Sequence, residues 1–446
     1  MGRSEGPSQP EFARAFLSIL ATTALFLVAG GPLRAQTAPD VPKSGTPSAQ
    51  PPPTPAVTDP TKPTPPPAAA KPGQGPSSPL TFTGAYTADF LGDVAGGQSS
   101  GGGYADLLKV SAAYDGSASG QDGLTGLISL EHQFGSDFTA TRVGGVQAVS
   151  ATEALPGATR LYEAWVQQTL LNGQGAVKAG FVDLNSTFDV QETAALFLNA
   201  SDGIGPDIGD TGVDGPSDYP IPALAITAYC RPADDWTLQA GLFDGSAGNP
   251  AHRSAFVGVK FDGALLIGQV EKRFGDVARV EVGGWTYTSS FPSLTSTNAL
   301  GQTTRISGNG GVYGLVEGQI MPAPGGAGGG LNGWVRAGLA NGDINVVDSY
   351  LGGGLVYTGL FKDRTQDEIG VAISRAGIGA GARHVGALAG RDIGDAETVL
   401  EGAYRFVVKD WLNVEPDLQY VIDPHGDLRI PNAVVLALRV ALTYSK

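Results

Sequence analysis

The sequence predicts an all-β fold, a transmembrane antiparallel β-barrel of sixteen strands preceded by a cleaved leader and a proline-rich arm. Three observations predict it. Apolar and polar residues alternate with period two over most of the chain beyond Leu80, so each strand has one oily and one wet face. Connections between these stretches are short or long by turns, as when tight turns line one rim of a barrel and long loops the other. The 446 residues include 66 Gly but one Cys and two Met, and mean hydropathy is close to zero, too polar for a bundle of spanning helices.

Residues 1–35 carry Arg3 and Arg14, an apolar run from Ala15 to Gly30, and Leu33-Arg34-Ala35 before Gln36. This is the pattern of a signal peptide, with a small residue before the cut. The run is short of the roughly 20 apolar residues that a spanning helix needs. No later segment approaches that length, so a membrane domain here is made of strands. Residues 36–79 contain Pro51-Pro52-Pro53-Thr54-Pro55 and Pro65-Pro66-Pro67-Ala68-Ala69-Ala70. Proline fixes φ and removes a donor, so the segment reads as a flexible periplasmic linker, with contact to the cell wall as a further role.

Residues 80–446 form the barrel domain. In the first strand Leu80, Phe82, Gly84, Tyr86, Ala88 and Phe90 share a face, and Thr81, Thr83, Thr87 and Asp89 share the other. In the last, Val434, Leu436, Leu438, Val440, Leu442 and Tyr444 lie opposite Arg439 and Thr443. A soluble sandwich also alternates, so the connections decide. Strands are expected at 80–92, 105–115, 123–134, 160–171, 176–183, 223–231, 236–244, 263–274, 278–288, 310–320, 331–341, 351–361, 367–375, 397–407, 411–422 and 432–444. Short connections at 172–175, 232–235, 275–277, 362–366 and 408–410 follow even-numbered strands. Long ones at 135–159, 184–222, 289–309 and 376–396 follow odd-numbered strands. Ser254 to Phe261 is also strand-like, but counting it would put the short turns at the two ends of the chain on opposite rims, so it is assigned to a loop as a hairpin arm. Aromatics near strand ends, among them Phe134, Tyr162, Trp236 and Tyr444, are candidates for the interfacial girdles.

One long stretch carries a family signature. It runs from Gly180-Phe181-Val182-Asp183-Leu184-Asn185 through Phe188-Asp189-Val190-Gln191-Glu192-Thr193 and Leu196-Phe197-Leu198-Asn199 to Gly203-Ile204-Gly205-Pro206-Asp207. Gly215-Pro216-Ser217 and Tyr219-Pro220 follow, with Asp235-Trp236-Thr237-Leu238-Gln239-Ala240 further on. These segments resemble the carbohydrate-selective porin family, the OprB-like porins of Gram-negative outer membranes. The resemblance spans about residues 80–444 and implies a sixteen-stranded barrel in outer-membrane lipid. The proline-rich arm is expected in the periplasm, and the sequence leaves both a monomer and a homotrimer open. It implies passive diffusion of monosaccharides such as glucose, with no catalysis, cofactor or metal. A general or ion-selective porin shares the architecture and is the alternative, ahead of a barrel enzyme or an envelope tether.

A channel selects by diameter, lining and electrostatics. Sugar hydroxyls both donate and accept, so a site for them combines carboxylates, amides, cations and an aromatic face. Lumen-facing candidates by alternation are Asp89, Lys109, Glu131, Glu163, Trp165 and Lys178. General porins fold their third long loop into the barrel; here that loop and the strand end before it offer Asp183, Asn185, Asp189, Glu192 and Asp207. The plain alternative is that these charges are solvated or paired with neighbours. Arg160, Arg273, Arg279, Arg336 and Arg405 are candidates for an opposing positive strip.

Other chemistries find little support. The formal net charge of −15 argues against a nucleic-acid surface. Cys230 alone can form neither an intrachain disulfide nor a metal cluster. Of His132, His252, His384 and His425, only His132 falls in an expected strand, on the face of Leu130 and Phe134, where it reads as a polar residue near a girdle rather than a catalytic base.

Overall fold

The computed structural model describes residues 79–153, 157–213, 215–248, 262–323 and 329–445. The expected leader, the arm up to residue 78 and the segment Ser254 to Phe261 lie outside the described residues.

Nine strands form the first part of the sheet: β1 (Leu80–Ala95), β2 (Gly101–Asp115), β3 (Leu124–Gly135), β4 (Ala158–Leu170), β5 (Gly175–Val182), β6 (Ala223–Ala233), β7 (Trp236–Asp244), β8 (Ala264–Phe274) and β9 (Ala278–Tyr287). A separate two-stranded hairpin follows, β10 (Phe291–Thr297) and β11 (Thr303–Ile306). The sheet resumes with β12 (Gly310–Pro322), β13 (Gly330–Ala340), β14 (Val347–Thr358), β15 (Glu368–Ile378), β16 (Ala396–Lys409), β17 (Leu412–Ile422) and β18 (Ala433–Ser445). β9 pairs with β12, and β18 returns to pair with β1, with Asp89 opposite Arg439. The barrel is closed and antiparallel, so it has no free edge. Its sixteen strands are those read from the alternation, with ends moved by a few residues.

Burial runs opposite to that of a soluble protein. Phe82, Phe90, Val166, Val282, Val371, Leu436 and Tyr444 point outward and are more than half exposed. Thr87, Ser129, Arg336, Glu397 and Gln419 point inward and are fully buried. An apolar outside and a polar inside suit a wall bathed by lipid. No helix among the described residues is long and apolar enough to cross a membrane.

Local irregularities adjust what faces in. Between β3 and β4, Ser129 lies opposite Glu163 but Leu130 opposite Leu161, which leaves Tyr162 as an extra residue. A bulge of this kind changes the face of everything beyond it. Arg160 and Tyr162 therefore point inward, as do Glu163 and Trp165. Tyr162 is thus a lumen residue, only 3% exposed, and not part of a girdle; Phe134, Trp236 and Tyr444 stay on the outside as expected. His132 faces out too, with Nδ1 2.8 Å from the Thr159 hydroxyl.

The rims differ as expected. The tight turn after β4 places Asn172 and Gly173 at φ of 53° and 93°, a left-handed conformation that Asn and Gly tolerate. On the opposite rim, residues 136–157, 183–222, 288–309 and 379–395 form long loops, and 96–100 and 341–346 are short. The β10–β11 hairpin and a helix, Ala380–Leu388, occupy two long loops in which alternation predicts no structure.

Candidate functional site

The loop of residues 183–222 folds into the barrel. Two apolar seams hold it. Leu184, Phe188 and Ile208 pack against Phe243, Leu265, Ile267, Trp285, Tyr287 and Tyr313. Further on, Ala194, Leu196 and Phe197 pack against Leu315, Trp334, Val356, Ala372 and Ala403, with the Phe197 and Trp334 rings 5.2 Å apart. The loop has little regular structure, so its backbone N–H groups need acceptors. Wall glutamates supply them. Glu317 accepts from the N–H of Glu192 (3.1 Å) and Thr193 (2.6 Å), and Glu401 from that of Leu198 (2.6 Å).

A second loop, residues 136–153, also enters the lumen. Phe138, Val143 and Val149 pack against Leu91, Val399, Val421 and Val435. Glu397 accepts from the N–H of Val146 (2.8 Å), Gln147 (2.9 Å) and His425 (2.6 Å), which ties this loop to the last one. The two inserted loops are laced together: Ala151 N–H donates to Leu198 O (2.9 Å) and Ala200 N–H to Ala148 O (3.0 Å).

The eleven candidate residues fall into four places. Seven gather where β2 to β5 meet the start of the inserted loop. Lys109 Nζ is 3.3 Å from Glu131 and 4.6 Å above the Tyr162 ring. The Tyr162 hydroxyl donates to Asp183 at 2.6 Å. Lys178 Nζ lies 4.6 Å above Trp165, whose indole N–H donates to Glu163 at 3.2 Å. Asp183 accepts from the Asn185 N–H (2.8 Å), and the Asn185 amide donates to Asp189 O (2.9 Å). Burial raises the Asp183 carboxyl, against the lowering pull of the Tyr162 hydrogen bond and the Lys109 charge. Burial, and after it the Asp183 charge, hold Asp218 well above the usual carboxylate range.

Asp189 and Asp207 lie elsewhere, on either side of Arg336. Asp189 is paired with it at 2.8 Å and Asp207 more closely still, and all three side chains are fully buried. The guanidinium also stacks between Tyr313 (5.4 Å) and Tyr350 (5.3 Å). A Cβ at Gly205 or Gly338 would collide with it, so both glycines are needed. Asp189 takes φ of 54°, and its N–H donates to Gln269 at 3.0 Å. Asp89 sits apart again: it pairs with Arg439 (2.8 Å) and accepts from the Ser150 hydroxyl (2.5 Å) and from Thr152, which fastens the second loop. Glu192 alone of the eleven has a side chain more than half exposed, 3.4 Å from Arg273 and 3.8 Å from Arg279.

The five arginines face inward, but carboxylates enclose at least four of them. Arg279 pairs with Glu271 (3.1 Å) and more closely with Glu281 and Glu317, and donates to Val190 O. Arg405 pairs with Glu415 (2.6 Å) and Glu368 (2.7 Å) and donates to Ala195 O. Arg273 pairs with Glu271 at 2.8 Å. The positive strip expected from sequence is therefore neutralised within its own wall. Alternation also passed over Glu317, Glu397 and Glu401. Their inward positions were readable from β12 and β16, but the loop amides they hold were not.

Residues 100–444 match the family described as carbohydrate-selective porin, OprB family. Porin B of Pseudomonas aeruginosa is 26% identical over 335 residues, covering 68% of this chain and 72% of that one. Among solved structures, the high-pH structure of Pseudomonas putida OprB superposes with a TM-score of 0.73 at 20% identity, over 82% of this chain and 94% of that one. The low-pH structure of the same protein gives a TM-score of 0.51 at 17% identity, over 82% and 92%.

Proposed function

Because the chain belongs to the carbohydrate-selective porin, OprB family, a family of channels in Gram-negative outer membranes, we propose that it passes monosaccharides such as glucose by passive diffusion, without catalysis or cofactor. The observation that supports this reading is the β2 to β5 wall, where the Tyr162 and Trp165 rings each lie 4.6 Å below a lysine ammonium, interleaved with Glu131, Glu163 and Asp183. A pyranose has an apolar C–H face and a rim of hydroxyls, which match rings and alternating charges respectively. Lys109, Glu131, Glu163, Trp165, Lys178, Asp183 and Asn185 are the proposed solute-contacting group. Most of them already have protein partners, so a sugar exchanges one hydrogen bond for another. Binding stays weak enough for exit, as conduction requires.

Liposome swelling tests the reading. Glucose and arabinose should enter much faster than a neutral disaccharide, beyond what size alone predicts, and free glucose should slow arabinose. Rates that follow size alone, with no competition, would indicate a general porin. Residues 1–35 are read as a cleaved leader and 36–79 as a periplasmic arm. Mature protein whose first residue is Gln36, by amino-terminal sequencing, is the result this expects.

A further inference from the structure

We propose that the lumen is cation-selective, so that neutral and amino sugars pass while sugar acids and sugar phosphates are held back. This rests on the reading of the barrel as an open sugar channel and adds to it the charge of the solute.

The ion pairs around Arg273, Arg279 and Arg336 do not balance. Arg279 lies within ion-pair reach of Glu192, Glu271, Glu281 and Glu317. Arg273 joins that group, but it shares Glu192 and Glu271 with Arg279 and brings no acid of its own. Two cations thus meet four carboxylates. Arg336 meets two more, Asp189 and Asp207. Glu397 and Glu401 are held by backbone N–H donors, which satisfy hydrogen bonds without cancelling a full charge.

Hydrogen bonding points the same way. One carboxylate oxygen in each of Glu131 (Oε2), Glu281 (Oε2) and Asp207 (Oδ2) has no hydrogen-bond donor from the protein, although these residues are 3%, 1% and 0% exposed. Buried lone pairs of this kind are costly, and a cation or a proton donor relieves them. Barrels that set carboxylates facing each other across a pore pass cations in preference to anions.

The geometry favours a strong effect at low salt. Low-dielectric walls focus the field of the interior charges, and a lumen potential of about −1 kT per unit charge would favour cations over anions by roughly sevenfold. The Debye length is about 10 Å at 0.1 M salt, comparable with a pore, and about 3 Å at 1 M.

Reversal potentials of the purified protein in planar bilayers, under a roughly tenfold KCl gradient around 0.1 M, provide the test. The expected potassium-to-chloride permeability ratio is about five to ten, falling severalfold near 1 M salt and falling also near pH 4, where ordinary carboxylates are about half protonated. Liposomes should admit glucosamine faster than gluconate. Glu192→Lys, at the most exposed of these carboxylates, should lower the ratio about two- to threefold. A ratio at or below one with conductance intact overturns the inference and leaves the sugar channel standing. A ratio unchanged near pH 4 overturns it too, since the carboxylates are then not its source. Absence of any conductance overturns the channel reading and this inference together.

Discussion

The two sides of the lumen hold their cations in different ways. On the β2 to β5 side, besides Arg160, the inward cations are Lys109 and Lys178, each above an aromatic ring and beside carboxylates of the same region. On the β9 to β13 side they are arginines, Arg279 and Arg336, which reach the inserted loop at Val190 O, Asp189 and Asp207. An ammonium is a compact charge on a flexible stem, whereas a guanidinium is a flat fork that bonds in several fixed directions. The difference assigns holding to the arginine side, which fixes the loop that narrows the barrel. The lysine side bonds instead within its own strands and the start of the inserted loop.

The largest effect is expected at Arg336. Arg336→Ala would leave Asp189 and Asp207 buried without their cation, a loss of about 3–5 kcal/mol from the loop's attachment. Single-channel conductance should rise severalfold and discrimination between sugars should fall, while the barrel still assembles. Conductance equal to that of the parent would show that the clasp does not set the bore.

Replacing both Asp189 and Glu192 with Ala removes one loop carboxylate from each arginine. Conductance or glucose uptake into liposomes should change, by less than for Arg336→Ala because each arginine keeps other partners. Unchanged transport would remove these two residues from the narrowest point. Trp165→Ala addresses the other side. Losing the ring under Lys178, a contact of about 0.5–2 kcal/mol, should weaken glucose competition in swelling assays two- to tenfold and hardly move ion conductance. A matching fall in conductance would mean that Trp165 also shapes the bore.

The smallest effect is expected in the second loop. Glu153 accepts from Thr139 N–H (2.8 Å) and hydroxyl (2.7 Å), and burial pushes its carboxyl up to about 7 despite these bonds. A raised carboxyl means that the folded loop holds the proton more tightly than an unfolded one. Its contribution is complete below the ordinary carboxylate value near 4.5 and is lost as pH rises to about 7. Amide exchange at residues 139–150, corrected for intrinsic rates, should therefore be faster at about pH 8 than at about pH 5. Glu153→Gln should remove the difference, and a difference that survives it has another origin.

Much of the fold was legible in the chain because a two-faced strand repeats its signal at every second residue. Even so, two features escaped it. One inserted residue, Tyr162, turned the upper half of β4 around, and no count of polar positions reveals where such an insertion sits. The lumen insertion of residues 136–153 carries no periodic pattern; its apolar Phe138, Val143 and Val149 find their partners in Leu91, Leu198 and the inward valines of β16 to β18. The seven candidates of the β2 to β5 wall came together because neighbouring strands keep their inward positions adjacent. Asp89, Asp189, Glu192 and Asp207 scattered because their partners, Arg439, Arg336 and Arg273, lie far along the chain.

Alternation and turn length, properties of neighbouring residues, settled that this chain makes a closed wall with an oily outside and a charged inside. Which charge meets which was decided only when the barrel shut and two loops dropped into it. Charges act across space rather than along the chain, and closure alone brings Asp89 beside Arg439, from opposite ends of the barrel domain.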